Sequence, residues 1–354
     1  MKKAGVLFAL FILLCGCAAA EPQKEEAEAK EKIFGVWISC YELEPMLAGG
    51  NFKEEFSAAA GNSAAAGMTD AFVHVRAFGD SLFPSRFYPQ NENAARYDFD
   101  LLRFMIDCIH NAGMRFHAWI NPFRDGDGSF LSPASAEVQA RILGGIREIT
   151  EGYGVDGIHF DDYFYTEKSS DAADYGRYRL AAAQPLSIEE YRTANISRLI
   201  AATKSLTAAA GITFSVSPAA DTDKNKNVFF ADVAEWCKNK TVDIIIPQLY
   251  FGFEYPDSRF CFDNLLAEWK ELCGDNVRLV IGVAAYKLGT DSVPDTYEWK
   301  NGADILARQT EICVRDPDLA GICYFSYSYL FAGDGLHKTA LSGVLEYTAP
   351  ENRR

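Results

Sequence analysis

From Ile33 onward the chain alternates two hydrophobic patterns. Short apolar runs bounded by turn-forming residues read as strands. Longer stretches with apolar residues three and four apart read as amphipathic helices. The strand-like runs are "IFGVWIS", "AFVHVR", "MRFHAWI", "DGIHFD", "ITFSVSP", "VDIIIPQLY", "VRLVIGVAAY" and "AGICYFSY". Between them lie helix-like segments such as "DFDLLRFMIDCIHNAG", "EVQARILGGIREITEGYG", "SIEEYRTANISRLIAATKSLTAAAG", "FADVAEWCKNK", "FDNLLAEWKELCG" and "ADILARQTEICVRDP". In the first of these, Leu101, Leu102, Met105 and Ile109 form one face and Gly113 supplies a stop.

Eight strands alternating with helices over this length predict an α/β fold, a (β/α)8 TIM barrel. A doubly wound open sheet is the alternative, but it usually carries a Gly-rich phosphate loop after its first strand. Here the first strand runs into "CYELEPML". No linker breaks the alternation, so residues 33–348 read as one domain.

In such a barrel, residues just after the C-terminal strand ends form the active face. Side chains alternate along a strand, so apolar positions set its phase. If Ile158 and Phe160 face the helices, His159 and Asp161 face the barrel axis, and Asp162 points away or heads the loop. The same logic turns His117, Trp119 and Asn121 inward on the third strand, and His74 and Arg76 on the second. It turns Gln248 and Tyr250 inward on the sixth, and Tyr324 and Ser326 on the eighth. The mouth is therefore expected to be polar and aromatic. Asp161 reads as a reacting group, with an ordering ion pair to Arg76 as the bland alternative. Asp162 reads equally as a loop cap, and His74 and His117 as hydrogen-bonding wall residues.

Aromatic residues crowd the strand ends, among them Tyr163, Phe164, Tyr165, Tyr250, Phe251, Tyr286 and Tyr327. Such rings stack on the C–H faces of sugars, although about half of a set like this serves packing.

Composition narrows the partners. The 354 residues are 49% hydrophobic and 23% charged, as in a globular protein, and the net charge of −15 disfavours nucleic acid. At the N-terminus, Lys2 and Lys3 precede an apolar run from Ala4 to Leu14 that is too short to span a bilayer. It ends in Leu14-Cys15-Gly16-Cys17, which looks like a bacterial lipobox. Residues 1–16 read as a lipoprotein signal peptide, Cys17 as the lipidation site, and 17–32 as a flexible polar stalk. Ordinary signal cleavage near Ala18 to Ala20 is the alternative. The expected location is the cell envelope, with membrane attachment through the lipid. The remaining seven cysteines lack metal-type spacing and read mostly as buried thiols.

Taken in order, "GVWIS", "VRAFGDSLFPS", "FHAWINPFR", "DGIHFDDYFY", "FSVSP", "IIPQLY" and "IGVAAYKLG" resemble the glycosyl-hydrolase-like family ten barrels, over roughly Lys32 to Gly335. One member of that family is similar to a division-site hydrolase of peptide-free peptidoglycan strands, so the resemblance implies glycan cleavage on a polysaccharide substrate. The segment "SPAADTDKNKN" departs from the family, whose members often continue with an aromatic-Gly stretch and Trp-Arg.

Glycoside hydrolysis ordinarily uses two carboxyl groups. Asp161 is the expected nucleophile or base, kept ionised by Arg76 or His159. Its partner acid is Asp80, Asp162 or Asp221. Asn121, Arg124, Gln248 and Tyr250 are placed to bind sugar hydroxyls, with His117, Trp119, Tyr163 and Tyr286 in the wall. Lys287 could hold a carboxylate or lie on the surface. This chemistry requires no metal or other cofactor. Two competing readings are a sugar-binding lipoprotein without catalysis and a metal-dependent amidohydrolase or deacetylase using His74, His117 and His159. The latter usually opens with His-x-His on its first strand, which "GVWIS" lacks.

Overall fold

The computed structural model describes residues 31–126, 128–291 and 296–352. The signal segment, Cys17 and nearly all of the expected stalk lie outside the described residues. Lys32–Arg354 forms one compact unit.

Eight parallel strands close into a barrel in sequence order. They are β1 Ile33–Ile38, β2 Asp70–Arg76, β3 Arg115–Ile120, β4 Gly157–Phe160, β5 Thr213–Val216, β6 Ile244–Ile245, β7 Arg278–Ala284 and β8 Gly321–Phe325. Strand β1 closes the ring on β8, from Ile33 opposite Gly321 to Val36 opposite Tyr324. With the helices around it, this is a (β/α)8 TIM barrel, as the alternation predicts.

The helices begin and end where their local chemistry dictates. Asp100 caps Leu101–Asn111 by accepting from the Arg103 N–H, and Gly113 at φ 78° turns the chain out of it. Ser187 and Glu190 form a capping box on Ile188–Ala210, which stops at Gly211 with φ 71°. The chain after β1, unassigned by the periodic pattern, folds at once into the helix Cys40–Gly49, capped by Ser39 and Glu42.

The two faces of each strand carry different contents. Outward residues such as Val73, Val75, Phe116, Ala118, Ile158 and Phe160 join the apolar layer beneath the helices. Inward, Trp37, Phe72, Trp119, Ile244, Ile246, Val280 and Cys323 pack across the axis. Room for Trp37 comes from Gly282, where an added Cβ would lie 2.9 Å from the indole.

Below that layer the barrel is closed by charge. Asp70 accepts from Arg115 Nε and Nη2 (both 2.7 Å) and lies 2.8 Å from His117 Nε2. Burial alone would raise the Asp70 pKa, but the His117 and Arg115 contacts outweigh it and hold it well below the usual carboxylate range.

Two strand phases differ from expectation. A register shift between His74 and Arg76 against β3 swings Arg76 out of the inward row. Its guanidinium stacks 4.5 Å from Tyr88 and donates to the carbonyls of Asn121, Pro122 (3.0 Å) and Arg124 (3.0 Å). On β8, Tyr324 points outward to the Thr310 hydroxyl (2.8 Å), and Cys323 and Phe325 take the inward positions. The run "GICYF" contains no charged or strongly polar residue to reveal its phase.

Candidate active site

At the C-terminal ends of the strands a cavity of about 270 Å³ opens over the inner packing layer. Each of the strands β1 to β4, or the loop that follows it, contributes to it. The end of β1 supplies Trp37, Ser39, Cys40 and Tyr41, and β2 supplies His74. Trp119, Asn121 and Arg124 come from β3 and its loop, and Asp161, Asp162 and Tyr163 from the end of β4. Ser217, Gln248, Tyr250, Tyr286 and Phe325 complete the far wall.

Strand β4 stops at Phe160, so strict alternation no longer governs the next residues. Asp161 and Asp162 therefore both reach the cavity, and of the two placements expected for Asp162, turned away or heading the loop, the structure shows the second. Asp161 is 3% exposed. Its Oδ1 accepts a long bond from the Tyr163 N–H (3.4 Å), and its Oδ2 has no hydrogen-bond partner. Burial, then the neighbouring Asp162 charge, push its pKa well above the ordinary carboxylate value. The Arg124 charge and the nearby Trp119 indole oppose this without overcoming it. Asp162 is also raised by burial, and its own backbone N–H, Gln248, Lys224 and Arg124 favour its charged form. Two interacting carboxyls of this kind titrate as a pair.

This environment corrects the partners expected to keep Asp161 ionised. Neither Arg76 nor His159 keeps it ionised. Arg76 has left the row, and His159 is fully buried beneath the cavity. His159 Nε2 accepts from Trp37 Nε1 (3.1 Å), so Nδ1 carries the proton toward Ser215 Oγ (2.8 Å). Burial holds this imidazole well below its ordinary pKa. His159 therefore fixes the Trp37 ring that lines the cavity.

His74 is pinned in the opposite tautomer. Its Nδ1 accepts from the Cys40 N–H (3.0 Å), leaving Nε2–H for Asn121 Oδ1 (3.1 Å). The Asn121 amide is oriented in turn by donating to the Ala77 carbonyl (3.1 Å). The His74 ring stacks on Trp119 with centroids 3.3 Å apart, and burial lowers its pKa to about 3. With both His74 nitrogens engaged and His117 in the Asp70 network, the inward histidines do not converge on a common point. Among the described residues no group of three or more His, Cys, Asp or Glu side chains is disposed to hold a metal ion.

Arg124 is the one cation among the described residues lining the cavity. Its guanidinium lies 4.7 Å from the Tyr163 ring and 4.9 Å from Phe78. Tyr163 is 37% exposed and Tyr41 70%, giving the rim two accessible rings.

Other expected site residues lie elsewhere. Asp80 sits in a small neighbouring pocket, bonded by Asn91 Nδ2 (2.8 Å), because its loop folds back toward Glu44. Asp221 caps the short helix Thr222–Asn227 and pairs with Arg259 (3.0 Å). Lys287 lies over Phe251 (5.3 Å) and Trp299 (5.8 Å), outside the cavity lining. His117 belongs to the barrel bottom.

Sequence reasoning missed Trp37, Ser39, Cys40, Tyr41, Ser217 and Phe325. It also missed Glu42, which accepts from Ser39 N (2.6 Å) and from Ser328 N (3.0 Å) and Oγ (2.9 Å), tying the ends of β1 and β8 together. The Ser39–Glu42 spacing of a capping box was its visible signal.

Comparison with known proteins agrees with the barrel fold. The family model described as glycosyl hydrolase-like 10 matches residues 123–300, just over half of the chain. The glycosyl hydrolase DigH of Escherichia coli K12 is 26% identical, with 93% of each chain covered. The glycosyl hydrolase YngK of Bacillus subtilis is 25% identical, over 83% of this chain and 68% of its own. Among solved structures, the glycoside hydrolase domain of PgaB from Bordetella bronchiseptica superposes with a TM-score of 0.65 at 12% identity. That match covers 90% of this chain and 99% of the domain. A family 18 chitinase from Cycas revoluta in complex with (GlcNAc)4 gives 0.52 at 12% identity, covering 89% and 99%.

Proposed function

From the premise that this chain belongs to the glycosyl hydrolase-like 10 family, we propose that it hydrolyses glycosidic bonds in a bacterial polysaccharide. The observation that carries the reading is the adjacent Asp161–Asp162 pair, the first buried and the second half-buried, lining an aromatic-walled cavity. Burial and mutual repulsion leave the pair holding a proton where isolated carboxyls would both be charged. Asp161, with its unpartnered Oδ2, delivers that proton to the glycosidic oxygen as the bond breaks. Asp162 retains the negative charge and faces the positive charge that develops on the sugar ring; water then adds to that carbon and its released proton returns to Asp161. Arg124, Asn121 and Gln248 bind hydroxyl or carbonyl oxygens, and Tyr41, Tyr163 and Tyr250 stack on ring faces.

Peptide-free peptidoglycan strands are the proposed substrate. The sequence resemblance leads to such strands, and the (GlcNAc)4 bound by the structurally similar chitinase is consistent with an N-acetylated sugar in a cavity of this fold. Residues 1–17 are proposed to export the chain and anchor it through a lipid on Cys17. Radiolabelled fatty acid should appear on the parent and vanish in Cys17→Ala; labelling of both would refute the anchor.

The enzyme reading is tested by incubating purified protein with peptide-free peptidoglycan strands and with other polysaccharides, then identifying products by mass spectrometry. New reducing ends that depend on Asp161 support hydrolysis. Binding without any product from the parent would instead establish the non-catalytic sugar-binding reading.

A further inference from the structure

The structure holds one cysteine pair in direct contact among the described residues, well away from the cavity. Cys237 lies near the end of the helix Val233–Lys238 and Cys273 ends the helix Phe262–Cys273. Their sulfurs are 3.7 Å apart, and both side chains are buried. The two helices bracket β6 in sequence. That strand is the thinnest part of the barrel, contributing two paired positions to β5 and two to β7, whereas β1 and β8 share four.

We propose that Cys237 and Cys273 form a structural disulfide when the chain folds in an oxidising compartment, clamping the two helices across the weak β6 segment. Bond formation requires the sulfurs to approach from 3.7 Å to about 2.05 Å. The oxidant is a small-molecule or protein disulfide. One cysteine thiolate attacks it, releasing the first thiolate. The second cysteine then displaces the second, so two thiols become one disulfide and the donor is reduced to two thiols. Both cysteines are inaccessible once packed, and a thiol in this setting resists ionisation, so the exchange belongs to folding rather than to the finished barrel. The bridge would close a loop between positions 36 apart, long enough to restrict the unfolded chain.

The test uses the full chain exported into the periplasm of a bacterial host, quenched in acid, alkylated while denatured and digested without reductant. A linked peptide joining Cys237 to Cys273, lighter by two hydrogens than the two thiol peptides, is expected. Alkyl groups on both cysteines would overturn the proposal. As a second measurement, reduction should lower the Tm of the exported protein by on the order of 5 °C. The double variant Cys237→Ala/Cys273→Ala should show no such dependence. A parent Tm unaffected by reductant, or an equal drop in the variant, would also overturn it. Neither readout depends on glycan cleavage.

Discussion

At the scale of the residue, Asp161 sets function against stability. Its folded pKa lies above that of the unfolded chain, so its favourable contribution is complete below the unfolded value. That contribution is lost as pH rises toward the folded value, where the buried carboxyl must ionise. Asp161→Asn keeps the shape and removes the ionisation. The Tm of this variant should therefore match or exceed the parent, by a margin that grows from pH 4 to pH 8. Differential scanning across that range measures it, and a margin that shrinks with pH would contradict the assignment. The same substitution should lower glycan cleavage by about 10²–10⁴-fold, the usual worth of a positioned general acid. For the parent, cleavage should follow a bell-shaped pH profile, falling in acid as the pair becomes fully protonated and in alkali as Asp161 loses its proton. Asp161 was legible in the sequence because apolar Ile158 and Phe160 fixed the phase of β4. Its protonation was not, because that depends on Asp162 turning into the same cavity after the strand has ended.

At the scale of the element, the irregularity in β2 decides what Arg76 does. Alternation aims it at the acids. The register shift instead delivers it to three backbone carbonyls of the loop that carries Asn121 and Arg124. The guanidinium reaches these carbonyls from two separate nitrogens, Nη1 to Asn121 and Pro122 and Nη2 to Arg124, and the single nitrogen of an ammonium cannot occupy both places at once. Arg76→Lys should therefore cost about 1–3 kcal/mol of stability, the range for stranded buried polar groups. It should also raise KM by loosening Asn121 and Arg124 while leaving the acid pair in place. Denaturant titration and steady-state kinetics check this, and unchanged stability would show that the carbonyls find other partners. A bulge has no signature in a run such as "AFVHVR", so this error was built into reading by alternation. The eight strands themselves were legible because each has an apolar run bounded by turns. The phase of β8 was not, since an apolar run without contrast fits either orientation.

At the scale of the whole molecule, the barrel separates the proposed reaction site from the contacts that hold the fold together. The acids lie at the C-terminal strand ends, and the Asp70–Arg115–His117 network lies at the other end. Arg115→Met should thus destabilise the fold, because it removes two hydrogen bonds from a buried carboxylate. The glycan KM should stay unchanged, and a shifted KM would indicate coupling between the two ends.

The same separation predicts how much of the N-terminus the barrel needs. Lys32 is the first residue of the compact unit, and its ammonium donates to the carbonyls of Cys313 (3.1 Å), Asp316 (2.7 Å) and Leu319 (2.9 Å) just before β8. One residue later, β1 begins and pairs on both sides, so it is the strand that closes the ring. A chain beginning at Glu31 should fold with the parent Tm and cleave soluble glycan at the parent rate. Replacing Lys32 by Met in that shortened chain leaves three carbonyls at the β8 entry without their shared donor, and should lower the Tm while the acid pair stays intact. Removing residues through Phe34 deletes the first pairs between β1 and β8, including Ile33 opposite Gly321, and should prevent a cooperative thermal transition. Thermal unfolding of the three chains reads the series directly. A shortened chain that loses activity at Glu31 would mean that the segment before the barrel contributes to catalysis.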